Sequence, residues 1–320
     1  MNSLPELTRR NFLGAAAASV AVGTIADAHR AMAADEDGAP LVIDCHAHIY
    51  SEDEKTYPPI ADPYRPPAGK GTVSHLKREM KANGVRYVTA IHTSTFYKWD
   101  NRFTTDAARD NADIMVGVCT LNPDDPASPK LLEEYVKTKN VRGMRSIPAQ
   151  SGKLDDPGVE ALWATAERLG VVINALVNRD KRTEIEMLVG RHPHLRVVID
   201  HCLNLKAGPT LEPTLGDMLA LASLPNVYAK LTFIPTGSAE RYPCRDMHDA
   251  CRAVIKEFGA DHCVWGSDFP CELWCKESQI TYAQHLAIFT RELGLDAESK
   301  KEILGATAYR LWFKPLSSSR

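Results

Sequence analysis

The sequence predicts an α/β fold in which eight parallel strands alternate with helices and close into a (β/α)8 barrel. Three observations carry that expectation. Eight β-rich runs recur from residue 41 onward, helix-patterned segments separate them, and most of the runs are apolar throughout. Continuous apolar strands are the mark of parallel strands covered on both faces. A strand-first count of eight is that of the TIM-type barrel. An open doubly wound sheet is the alternative, but it gives no reason for polar residues at so many strand ends.

The first run, LVIDCHAHIY at 41–50, carries Asp44, His46 and His48 in alternation with Cys45 and Ala47. A strand's period of two puts these three side chains on one face. The Pro-rich stretch 51–72 follows directly, and in a barrel it lies over the C-terminal mouth as a lid or a long loop. The next runs are YVTAIHTS, IMVGVCTL, VRGMRSI and VVINALV, then RVVIDHC, VYAKLTF and CVWGSDF. Helical candidates fall at 74–83, 128–139, 158–169, 180–191, 246–258 and 279–293, where apolar residues recur at three- and four-residue intervals.

Polar residues gather at the C-terminal ends of these strands. They are Asp44, His46 and His48 on the first, Thr95 and Tyr97 past the second, and Arg145 on the fourth. Asn174 ends the fifth, Asp200 and His201 the sixth, Lys230 the seventh and Asp268 the eighth. A packed barrel interior favours branched apolar side chains, so this convergence marks the mouth as a site. Two neutral imidazoles at i and i+2 can bind a transition-metal ion side by side, with a carboxylate completing the set. His46, His48 and Asp268 are the expected ligands of one divalent ion, if a metal is used. His92 reads as a hydrogen-bonded core histidine, and His192 and His194, flanking Pro193, as solvent-facing.

The bulk properties exclude other classes. The 320-residue chain is 44% hydrophobic and 25% charged with net charge −3, which gives no electrostatic case for nucleic acid. Its beginning has the layout of a twin-arginine export signal: Arg9-Arg10, an alanine-rich apolar stretch, then Ala31-Met32-Ala33 as a cleavage pattern. Residues 1–33 are therefore expected to be removed by the twin-arginine export machinery's pathway, 34–40 to be a linker and 41–315 the barrel. The expected location is the periplasm, with no stable membrane anchor after cleavage. Of the eight cysteines, Cys45, Cys119, Cys202 and Cys263 sit in apolar runs and read as buried thiols. Cys244, Cys251, Cys271 and Cys275 leave a disulfide open.

The motifs VIDCHAHIY, YKWDN, VRGMRSI, RHPHLRVVIDHC, NVYAKLTF and VWGSDFP, in that order, resemble the amidohydrolase superfamily. Within it the chain is similar to the branch (amidohydrolase family 2) of 2-pyrone-4,6-dicarboxylate lactonase and the sugar-acid lactonases. The resemblance implies catalytic roles for His46, His48, His201 and Asp268, and places Arg145 towards a substrate carboxylate. Thr95 departs from a Ser-x-Tyr segment that would include Tyr97, and Lys230 and Asn174 complete the expected substrate-binding set. VVINALV lacks the fifth-strand histidine of binuclear relatives and metal-dependent decarboxylases. That implies one zinc or other divalent ion, or a metal-free mechanism.

The expected function is hydrolysis of a lactone or related ester of a small anionic molecule, with Asp268 activating water and Asp200 orienting its neighbours. The rivals are a decarboxylase or hydratase of an aromatic or muconate-like acid, and a non-catalytic periplasmic binding protein. The oligomeric state is not encoded in any feature of the sequence.

Overall fold

The computed structural model describes residues 40–316, so the export signal and most of the linker lie outside the described residues. Eight strands follow one another around a single parallel sheet: β1 Ile43–Ala47, β2 Tyr87–Ile91, β3 Met115–Thr120, β4 Val141–Ser146, β5 Val172–Ala175, β6 Val197–Ile199, β7 Val227–Lys230 and β8 Cys263–Val264. The ring closes beyond the short β8. Cys45 N–H donates to Trp265 O at 3.1 Å and His48 N–H to Phe269 O at 2.7 Å, with a parallel bridge from Ala47 to Phe269.

A main helix follows each strand, with shorter helical turns beside several of them: α1 Val73–Asn83, α2 Arg102–Asp110, α3 Ser128–Thr138, α4 Pro157–Leu169, α5 Arg182–Arg191, α6 Leu211–Ala220, α7 His248–Phe258 and α8 Tyr282–Ala287. Local chemistry sets several of the starts. Thr72 accepts from His75 N–H ahead of α1, and Asp156 accepts from Gly158 N–H with Pro157 in the first turn of α4. Thr281 and Gln284 form a reciprocal capping box at α8. Helices α2 and α6 are additions to the sequence reading. The apolar faces of the strands and helices meet in one core that includes Leu76, Ala108, Leu132, Trp163, Leu188, Met218 and Val254, all nearly inaccessible. Among the described residues no helix is long and apolar enough to cross a membrane.

Trp312, in the last helical turn among the described residues, lies against Gly143 of β4, and its ring sits 5.4 Å from Lys230 Nζ of β7. Those strands are three apart in the ring, so the indole fills the barrel interior beneath the mouth. All eight cysteines are free and buried, which settles the four left open as thiols. His192 corrects the expectation of exposure. It is buried, with Nδ1 2.9 Å from Glu167 and Nε2 2.9 Å from Glu160, because the carboxylates of α4 reach across to the end of α5.

Candidate active site

The first strand does not alternate as its sequence suggests. Asp44 pairs with Val88 and Ala47 with Ala90, so three steps on β1 run against two on β2. The extra residue is a bulge, and it turns Asp44 away from His46 and His48. Asp44 instead accepts four hydrogen bonds, from His46 N, Ser267 N, Ser267 Oγ and Tyr282 OH, at 2.6–3.0 Å. It ties β1 to the end of β8 and to α8. Burial raises its pKa, and these hydrogen bonds offset part of that rise. Gly266 lets the two strands approach, since a Cβ there would stand 2.6 Å from His46 Cβ.

His48 Nδ1 lies 3.0 Å from Ile91 O. A carbonyl only accepts, so Nδ1 carries the proton and the Nε2 lone pair faces the site. His46 Nε2 is 3.2 Å from His48 Nε2 and 2.8 Å from Arg145 Nη2, a group that only donates. His201 turns its Nδ1 to Thr232 Oγ1 at 2.7 Å, and its ring centre lies 4.8 Å from that of His46. Burial, then the nearby cations and other histidines, lowers His46 well below the ordinary value. Burial also lowers His48 well below its usual range and His201 to about 4. All three imidazoles are neutral at pH 7.

Asp268 completes the cluster. Its Oδ1 stands 3.5 Å from His46 Nε2 and 3.6 Å from His48 Nε2, and no hydrogen bond satisfies it. Burial pushes its pKa up to about 7 despite the opposing pull of Arg145. The ligand atoms of His46, His201 and Asp268 all lie within 4.8 Å of one another. His46, His48 and Asp268 lie closer still, at 3.2, 3.5 and 3.6 Å from one another, so His201 adds a fourth candidate ligand to the expected three.

The remaining residues expected at the site divide into two groups. Arg145 and Thr95 line a cavity of about 400 Å³ at the mouth, along with His48, His201 and Asp268. Lys230, Asn174 and Tyr97 are absent from its lining. Lys230 Nζ pairs with Asp200 Oδ1 at 2.8 Å, and Asn174 Nδ2 approaches the same oxygen at 3.4 Å. Arg145 Nε bonds Asp200 Oδ2 at 3.1 Å. Burial would raise Asp200, but Lys230 and Arg145 outweigh it and hold the carboxyl well below the usual range. Tyr97 OH accepts from Ser51 N–H at 2.8 Å within an aromatic cluster with Tyr50 and Phe96.

Sequence reasoning missed Trp274, Asn204, Lys206 and Gly237, which also line the cavity. They come from loops after β8, β6 and β7, where no periodicity marks them; only their position after a strand end could have drawn notice. Trp274 stands 5.3 Å from the His48 ring and 5.1 Å from Tyr64. Tyr64 belongs to the 51–72 stretch, whose backbone bonds to Thr95 and Phe96 at the mouth.

The sequence profile of the family described as amidohydrolase matches residues 43–314. An L-fucono-1,5-lactonase of Burkholderia ambifaria is 26% identical over 238 residues, 71% of this chain and 80% of that protein. Among solved structures, a probable 2-pyrone-4,6-dicarboxylic acid hydrolase from Acinetobacter baumannii superposes with a TM-score of 0.72 at 20% identity, covering 85% of this chain and 99% of that one. A zinc-bound amidohydrolase from Burkholderia multivorans gives 0.68 at 21%, covering 86% and 100%. The two structures speak to the fold.

Proposed function

Since this chain belongs to the amidohydrolase family and is a hydrolytic enzyme, we propose that it opens a lactone or related carboxylic ester of a small anionic molecule. One observation carries the reading: Asp268 Oδ1, buried and unbonded, faces two imidazole nitrogens at the floor of the mouth cavity. The lactonase among the relatives supports the same class of bond.

The donor set fits one divalent cation. A carboxylate oxygen without a hydrogen-bond partner, grouped with neutral imidazole nitrogens, is ligand chemistry for zinc. His46, His48 and Asp268 would hold it, with His201 within reach as a further ligand. Such an ion, when bound, supplies Lewis acidity at the carbonyl and eases water ionisation.

The chain's own groups do the rest. Asp268 takes a proton from water as the water oxygen bonds to the lactone carbonyl carbon. It returns that proton to the ring oxygen as the acyl C–O bond breaks. A carboxyl near pH 7 suits both transfers. His48 Nε2 can only accept, because Ile91 O holds its other nitrogen as donor, so it positions a proton or a cation rather than an oxyanion. Arg145 gives its Nε hydrogen to Asp200 and one Nη2 hydrogen to His46, which leaves Nη1 and the second Nη2 hydrogen for substrate. Trp274 offers a flat apolar wall for the ring, and Thr95 a hydroxyl at the rim.

The test is a panel of lactones followed by base uptake in a pH-stat, with carbon dioxide read in the headspace. Acid release without carbon dioxide is expected. Carbon dioxide from an aromatic acid, with no lactone opened, would overturn the reading in favour of a decarboxylase. Elemental analysis of the active protein should find at most one divalent ion per chain; two would break the single-metal proposal. Export by the twin-arginine route is proposed on Arg9-Arg10 and Ala31-Met32-Ala33. Periplasmic protein should begin near Ala34, and an intact Met1 on the folded periplasmic form would refute cleavage.

A further inference from the structure

We infer that Lys206, and not Arg145, recognises the carboxylate of the substrate and sets a preference for anionic over neutral lactones. The inference rests on the lactone-opening reading above. Three cations stand at or under the mouth; one is wholly committed, one is partly committed and one is free of any carboxylate among the described residues. Lys230 is fully buried against Asp200, outside the cavity lining. Arg145 reaches the cavity, but Asp200 offsets its charge and, with His46, fixes its orientation through Nε and one Nη2 hydrogen. Lys206 lines the same cavity, is exposed, and has no carboxylate partner among the described residues. An ammonium is a compact point charge with three donors, so it accepts a carboxylate in many orientations.

The backbone that delivers Lys206 is built at a cost. His201, Cys202, Leu203 and Asn204 have φ of 52°, 48°, 63° and 57°, four successive non-glycine residues in the left-handed region. L-residues resist that conformation singly and almost never adopt it in runs. Such strain persists only where surrounding contacts over-determine it, and it gathers at functional sites. Here the contacts are visible. Thr232 holds His201, Asn178 Oδ1 accepts from Asn204 Nδ2 at 2.8 Å, and Gly237 O accepts from Ala207 N–H at 2.8 Å. Gly237 is itself required, since a Cβ there would stand 2.3 Å from Leu205 O and 3.0 Å from Lys206 Cα. The strained turn therefore sets His201 at the floor and Lys206 on the wall of one cavity, five residues apart. A lactone with its carbonyl over Asp268 and His201 presents a ring substituent to that wall.

The experiment compares a glucaric acid monolactone, which keeps a free carboxylate, with the neutral gluconic acid lactone. Wild type should favour the charged substrate in kcat/KM. Lys206→Met should cut that preference roughly tenfold, as loss of one charge-assisted contact does, through KM rather than kcat. Lys206→Glu should cut it further, and Lys206→Arg should restore most of it. Glutarate binding, measured by calorimetry on the same proteins, should weaken in Lys206→Met by a similar factor. An unchanged preference, or glutarate binding that is absent in wild type or indifferent to Lys206→Met, overturns the role. If wild type opens neither lactone, the hydrolase reading fails on that substrate class, while the glutarate result still decides for or against Lys206.

Discussion

Two buried aspartates follow alternate strands, Asp200 after β6 and Asp268 after β8, and their surroundings drive them in opposite directions. Burial penalises the charge of both. Asp200 sits between Lys230 and Arg145, which outweigh that penalty and keep it ionised. Asp268 has neutral imidazoles at 3.5 and 3.6 Å and no ion-paired cation, so burial prevails and its pKa rises to about 7. Paired titratable groups whose environments separate them in this way divide structural from reactive work. The β4–β7 side of the mouth is a satisfied ionic layer, and the β8–β1 side is a poised base.

The largest effect should come from Asp268→Asn, which keeps the shape and removes the base. Turnover should fall about 10²–10⁴-fold, the usual range for a general base. Stability should move the other way. A folded-state pKa of about 7 lies above the ordinary carboxylate value, so Asp268's contribution is fully present below that ordinary value and is lost as pH rises through about 7. Urea melts of the metal-free proteins should therefore show Asp268→Asn gaining on wild type between about pH 4 and about pH 8. A folded variant within a few-fold of wild-type turnover would remove Asp268 from the mechanism.

Asp200→Asn should do the reverse. It strands Lys230 and Arg145 in the interior, and breaking a buried pair costs about 3–5 kcal/mol. Because the Asp200 pKa is depressed in the fold, its stabilisation is present above the ordinary carboxylate value and lost as pH falls through the folded one. The gap between wild type and Asp200→Asn should narrow only in strong acid. A variant as stable as wild type at neutral pH would show that the two sides do not differ as argued.

The smallest effect sharpens the comparison from outside it. Tyr282→Phe removes one donor to Asp44, a third buried aspartate that faces away from the cavity. It should cost about 1–2 kcal/mol in a urea melt, the worth of one hydrogen bond to a buried acid. Turnover should stay within twofold. A large loss of turnover with intact stability would return Asp44 to the reactive set.

The local pattern of the chain determined much of this. Apolar runs spaced by helical segments specify eight parallel strands, since side-chain periodicity is a property of neighbouring residues. His46, His48, His201 and Asp268 could be read as one group because a barrel brings all strand ends of one polarity to one mouth. What depends on residues far apart in the chain was decided only in three dimensions. The bulge that turns Asp44 outward answers to Ser267 and Tyr282, more than two hundred residues away. His192 is buried because Glu160 and Glu167 of another helix reach it. Lys230 and Arg145 are equally cationic in sequence, and so is Lys206. Which of them is paired with Asp200 and which stands exposed at the cavity is a matter of who is buried beside whom, and linear spacing carries no record of that.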